Sequence, residues 1–314
     1  MDRILTTHVG SLPRPAAVAN VLFERDRGEL RDRPAAEKII SDAVAAVVRR
    51  QVDTGIDAVS DGEMNKISYA TYIKERLTGF SGDSPRQPGQ DIVDFPEFLK
   101  KLADRGATAQ YTRPCCTGEI GIKDTKPLET DLRNLREAAI AAKARETFMN
   151  AASPGVIALF QPNKYYPTQD EYLDAVAAVM HVEYRTIVGA GVLLQIDAPD
   201  LGMGRHTMYR QRTEKEFLKL AAMHVEVINE ALRGIPADRV RVHVCWGNYE
   251  GPHHHDVPME KLLPVVLKLR ADALLFEAAN PRHAHEWSAF AGRRIPVDKI
   301  LIPGVLSSTT NYVE

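Results

Sequence analysis

Three side chains with metal-binding chemistry fall at the ends of two short apolar runs. The first run extends from Arg239 to Trp246, contains His243 and Cys245, and stops at Gly247 and Asn248. Side chains alternate along a strand, so His243 and Cys245 project from the same face. The second run, Ala273 to Glu277, ends in a carboxylate. Between them, residues 257–270 carry Pro258 near the start and Leu262, Leu263, Val266 and Leu269 at helical spacing. Strand, helix, strand makes the two strands parallel and often adjacent. Imidazole, thiolate and carboxylate then converge at neighbouring carboxyl ends, which is a donor set for tetrahedral zinc. The competing reading is a buried cysteine beside an ordinary polar pair.

The elements that must position these groups alternate along the chain. Strands are expected at 4–9, 58–63, 155–160, 192–197 and 299–306, besides the two above. Helices are expected at 37–54, with an apolar stripe of Ile39, Ile40, Ala43, Val47 and Val48, and at 131–150, 171–188 and 214–233. Gly55 closes the first of these. Residues 79–96, with several Gly and Pro, read as a long surface excursion and a lid candidate. Residues 108–122 read as extended chain or as a hairpin outside the main sheet. Strands separated by long helices indicate βαβ units.

The polar residues His8, Asp61, Glu63, Gln161, Gln195, Asp197, His243, Cys245 and Glu277 all fall at or just beyond expected strand ends. A (β/α)8 barrel gathers such ends on one rim, the usual active-site face. An open doubly wound sheet would usually carry a Gly-rich phosphate loop after its first strand, and no such motif occurs. The barrel is therefore the expected fold, as a single domain over residues 1–314.

Composition narrows the partners. The chain has 314 residues, 44% hydrophobic and 26% charged, with a net charge of -2. That balance gives no electrostatic reason to expect nucleic acid or an anionic membrane. No apolar run approaches the roughly 20 residues of a membrane helix. Cys115, Cys116 and Cys245 are the only cysteines, too few for a disulfide scaffold, so a reducing, cytoplasmic setting is expected.

Taken together, the rim residues resemble the cobalamin-independent methionine synthase family, specifically its catalytic C-terminal barrel. The matching pieces run in family order: His8 to Arg14 (HVGSLPR), Asp61-Gly62-Glu63, Gln195-Ile196-Asp197, His243-Val244-Cys245, Glu277 and Ile302 to Val305. The resemblance implies that zinc, held by His243, Cys245 and Glu277, keeps a substrate thiol as thiolate while it takes a methyl group from 5-methyltetrahydrofolate. It implies that Ser11, Glu63 and Asp197 hold the amino-acid part of homocysteine, carboxylates pairing with its ammonium group. Arg14 and His8, in the same first segment, join the expected substrate-binding set.

The departures from the family pattern shape a second set of expectations. The family's last zinc ligand is a cysteine on a final strand, which would lie past Glu314, so a missing last strand-helix unit is expected. The tryptophan on which the folate stacks is absent near Phe160 and Gln161, and Ser307 to Thr310 stand where a histidine is expected. With no counterpart of the first, N-terminal barrel of the long synthases either, the chain resembles the short, single-barrel branch that includes epoxyalkane:coenzyme M transferase. Alkyl transfer from an epoxide, a corrinoid or a methylated protein is the alternative, and a non-catalytic thiol-binding barrel a third. Of the remaining candidates, His253, His254 and His255 cannot all face one ion, and Arg205 and His206 form either an anion site or a plain loop. Tyr69, Tyr165 and Tyr166 either line a pocket or are simply packed.

Overall fold

The structure, a computed structural model, describes residues 3–85, 87–104, 111–249, 251–291, 293 and 295–308. Its centre is a curled parallel sheet of six strands. These are β1 (Ala58–Val59), β4 (Glu146–Ala152), β5 (Leu193–Asp197), β6 (Val240–His243), β7 (Ala273–Glu277) and β8 (Ile300–Gly304), adjacent in that order. Parallel neighbours in sequence order, joined by helices, give the (β/α) barrel architecture expected from the sequence. The two remaining strands, β2 (Phe80–Ser81) and β3 (Cys115–Cys116), form a separate antiparallel pair. The stretch containing Cys115 is thus a ribbon outside the main sheet.

Register places the chemistry in one row. Ala152 lies opposite Asp197, Asp197 opposite His243, and His243 opposite Leu275, two residues before Glu277. The carboxyl ends of β4 to β7 therefore share one rim. Helix α2 (Arg33–Asp53) shows how the outer layer is fixed. Asp32 caps it by accepting from Ala35 N–H at 3.0 Å, and Ala36, Ile40, Val44 and Val48 form its buried stripe. One apolar core extends from Val18 to Ala289, and no helix among the described residues is long and apolar enough to cross a membrane.

Two expected boundaries are corrected. Residues 131–150 are not one helix: α5 (Lys126–Ala142) stops at Lys143 and β4 follows. Lys143 adopts the left-handed conformation at φ 56°, a cap that glycine usually supplies and sequence therefore announces. Residues 155–160 are not a strand but lie in the short helix α6 (Pro154–Phe160). Ser153 caps it through Val156 N–H at 3.0 Å with Pro154 in its first turn, both helix-start signals that the apolar run outweighed. Residues 4–9 form no ladder among the described residues. They are extended and tied to the barrel by Thr6, whose carbonyl accepts from Asp57 and Ala58 N–H at 3.0 and 3.1 Å. Residues 309–314, part of the expected C-terminal tail, lie outside the described residues.

Candidate active site

His243 is the last residue of β6 and Cys245 follows two residues later, with buried Val244 and Trp246 alternating to the other side. His243 Nδ1 lies 3.3 Å from Asp197 Oδ1, and Cys245 is its other close electrostatic partner. Burial works against a proton on this ring, but the neighbouring Asp197 and Cys245 outweigh it and push its pKa up to about 10. Cys245 Sγ accepts from Gly247 N–H at 3.2 Å. The segment is held tightly from behind: a Cβ on Gly202 would lie 2.5 Å from the Cys245 carbonyl oxygen, which explains a glycine there.

Glu277 ends the adjacent strand β7, but its carboxylate is committed to its own turn. Oε1 accepts from Ala279 and Asn280 N–H, both at 2.9 Å. Among the described residues, His243, Cys245 and Glu277 do not form a cluster with all ligand atoms within 4.8 Å of one another. The structure pairs two of the three expected ligands and keeps the third on the same rim. As a donor set, imidazole, thiolate and carboxylate suit zinc, and a carboxylate bonded to the imidazole, as Asp197 is to His243, is compatible with a ligating role.

Asp197 is fixed from three sides. Oδ1 accepts from Gln195 Nε2 at 2.8 Å and faces His243, while Oδ2 accepts from Asn150 Nδ2 at 2.8 Å. Asn150 also donates to the Val9 carbonyl at 2.9 Å, and its own carbonyl receives the buried Lys66 ammonium. Asn150 and Lys66 are not legible in the sequence, Asn150 because the alanine-rich run before it predicts helix through residue 150 where β4 stands. A Cβ on Gly10 would fall 2.3 Å from Asn150, and Gly10 has φ +147°, so only glycine lets the first loop cross there.

Glu63 is almost fully buried and has a positive φ of 58°, rare for a residue with a side chain. Burial, opposed by Lys66 and Arg14 and reinforced by Asp197, raises its carboxyl pKa to about 7. Arg14 binds this turn through its backbone, donating to the Glu63 carbonyl at 3.1 Å and the Lys66 carbonyl at 2.9 Å, with the Glu63 carboxylate 3.7 Å away. Ser11 is exposed in the loop between Gly10 and Arg14. Tyr69, next to Cys245, Asp197 and Glu63 electrostatically, packs edge-on against Phe160 at 5.7 Å. His8 departs from its expected substrate role. Both ring nitrogens are taken, Nε2 by Gln51 at 2.7 Å and Nδ1 by Gly10 N–H at 3.1 Å, so it positions the first loop instead.

The family model for the cobalamin-independent synthase catalytic domain matches residues 4–86, the segment that carries Ser11, Arg14 and Glu63. The methionine synthase of Sulfolobus acidocaldarius is 26% identical over 260 residues, and that of Saccharolobus solfataricus 25% over 261, each across 82% of this chain. The chain is thus similar to the cobalamin-independent methionine synthase family in its first segment and, more distantly, over most of its length. The matched stretch spans 66% of the length of the first relative and 68% of the second. The family fold is equally clear in solved structures. A B12-independent methionine synthase from a Shewanella species, in complex with selenomethionine, superposes with a TM-score of 0.71 at 18% identity, over 98% of this chain and 82% of that one. A putative vitamin-B12-independent methionine synthase from Listeria monocytogenes gives 0.65 at 19%, over 100% and 84%.

Proposed function

We propose that the chain is a zinc-dependent methyltransferase that alkylates a small thiol, homocysteine to methionine, with a 5-methyltetrahydrofolate-type donor. The observation that carries this reading is the pairing of His243 and Cys245 on a rim shared with Asp197 and Glu63. A metal-ligand pair beside two carboxylates suits a substrate that carries both a thiol and an ammonium group. His243, Cys245 and Glu277 would hold the zinc, with Glu277 released from its turn. The chemistry that zinc supplies when bound is deprotonation of the thiol, which free in water is mostly protonated at neutral pH.

The chain's own residues do the rest. Asp197, locked by Asn150 and Gln195, holds both the His243 ring and, in this reading, the substrate ammonium. Glu63 supplies the second carboxylate, and Ser11 lies in the loop that covers the amino-acid end. Arg14 sets the Glu63 turn, and through it the carboxylate, rather than binding substrate directly. Relatives that carry the name methionine synthase support the choice of homocysteine.

The donor is the less constrained half of the reaction. The buried Gln161, which donates to the Ala70 carbonyl at 3.1 Å, and Phe160, edge-on to Tyr69, occupy the region where the family pattern has its folate-stacking tryptophan. This favours, as a second reading, the same thiol chemistry with another electrophile such as an epoxide, a corrinoid or a methylated protein. The test is thiol alkylation by zinc-loaded protein with each donor class, wild type against Cys245→Ser. Alkylation that survives in Cys245→Ser would sink both readings.

A further inference from the structure

We propose that His206, His253, His283 and Asp256 form a second, structural site for a divalent ion of the zinc class, distinct from the His243 and Cys245 site. These four side chains come from the loops after β5, β6 and β7 and are nearly or fully buried, from 1% to 6% exposed. Asp256 is the centre. Its Oδ2 lies 2.7 Å from His253 Nδ1 and 2.9 Å from His283 Nε2, and its Oδ1 lies 3.0 Å from His206 Nδ1. The ligand atoms of His253, Asp256 and His283 all fall within 4.8 Å of one another. Those three supply two imidazoles and one carboxylate; His206, on the other Asp256 oxygen and outside that group, would complete the closed four-coordinate arrangement of structural zinc by a shift of its ring onto the ion.

The far side of each ring supports this assignment independently. His253 Nε2 faces the Tyr249 carbonyl at 3.1 Å, an acceptor only. His283 Nδ1 faces Glu286 Oε1 at 3.4 Å. His206 Nε2 lies 3.2 Å from the Tyr249 hydroxyl oxygen, which accepts because the hydroxyl hydrogen is donated to buried Asp91. With a hydrogen fixed on each remote nitrogen, the near nitrogens turn lone pairs toward Asp256. That is the outer-shell arrangement of ligating histidines.

The competing arrangement, three imidazolium ions hydrogen-bonded around Asp256, leaves a defect. His206 Nδ1 and Asp256 Oδ1 are close but off the N–H line, so neither buried atom has a hydrogen-bond partner. One central cation partners both. The ion would clamp three rim loops. His283 also stacks on Trp246 at 4.3 Å, which ties the clamp to the residue beside Cys245. His254 and His255 take no part. They pair with Asp94 at 3.0 and 2.6 Å nearer the surface.

Cobalt(II) substitution distinguishes the two sites, because only a thiolate-ligated cobalt shows sulfur-to-metal charge transfer. Wild type is expected to take up two cobalt ions per chain, one with that band and one with ligand-field bands alone. Cys245→Ser should keep the second ion and lose the charge-transfer band. His283→Ala should keep the band and lose one equivalent. A wild-type titration that saturates at one ion with the band, or a His283→Ala protein with unchanged stoichiometry, would overturn the proposal. Should either variant fail to fold, the wild-type titration alone decides. Loss of the charge-transfer ion alone would count against the thiol site and leave this one standing.

Discussion

Glu63 offers the sharpest test of the substrate-binding rim. Its carboxyl pKa of about 7, against 4.5 for the ordinary group, comes from burial that Lys66 and Arg14 only partly offset. A substrate ammonium placed beside it and Asp197 favours the charged carboxylate, so binding should expel the proton. If the bound group returns to the ordinary range, this carboxyl releases about 0.9 proton per amino acid bound at pH 6, about 0.5 at pH 7 and about 0.1 at pH 8, in addition to any thiol proton displaced at the zinc. Affinity should correspondingly weaken by up to tenfold, or ~1.4 kcal/mol, for each pH unit below 7. Calorimetry of homocysteine binding in buffers of different ionisation enthalpy reads the proton count directly. Glu63→Gln should release none from this position. The free protein carries the opposite linkage. Because the folded pKa is raised, Glu63 contributes stability that is fully present below pH 4.5 and lost as pH rises through 7, a change of about 3 kcal/mol. Glu63→Gln, which cannot ionise, should therefore gain on wild type across that interval. Identical proton release in wild type and Glu63→Gln would refute the placement of the ammonium at Glu63.

Three further outcomes follow from the same geometry. Asn150→Ala frees one oxygen of Asp197 and the Val9 carbonyl, and should raise KM for the amino-acid substrate by about tenfold, the ~1–2 kcal/mol expected for such bonds, with little change in kcat. Gly202→Ala drives a methyl group against the Cys245 carbonyl oxygen, and should cost about 1–3 kcal/mol of stability by thermal unfolding and weaken zinc retention. Cys245→Ser should lower zinc affinity at the thiol site by more than ~100-fold, the upper end for outer-shell losses, and abolish thiol alkylation, both read on protein reloaded with zinc.

Much of the rim was legible because strand alternation and strand ends are written in residue types. The strand that ends at His243 was expected, and the sheet register sets His243 opposite Asp197. The parallel architecture followed from alternating elements. What sequence obscured has physical causes. The αL cap at Lys143 carries no glycine to mark it, so β4 and with it Asn150 disappeared into an alanine-rich helix. A short helix of apolar residues, α6, is indistinguishable by periodicity from a buried strand, and only its Ser-Pro start distinguishes it. The His206, His253, His283 and Asp256 cluster joins residues far apart in sequence through loops, where no periodicity operates. His8 sat correctly in the first segment, yet its partner Gln51 lies on a helix that sequence gave no reason to connect to it.

The central claim is that a substrate thiol is bound by zinc held at His243 and Cys245. Zinc X-ray absorption with and without homocysteine tests it most directly, in His283→Ala so that only the thiol site is loaded. Homocysteine should add one sulfur neighbour at about 2.3 Å to a shell that already contains Cys245. An unchanged sulfur count in a protein that demonstrably binds homocysteine would contradict it.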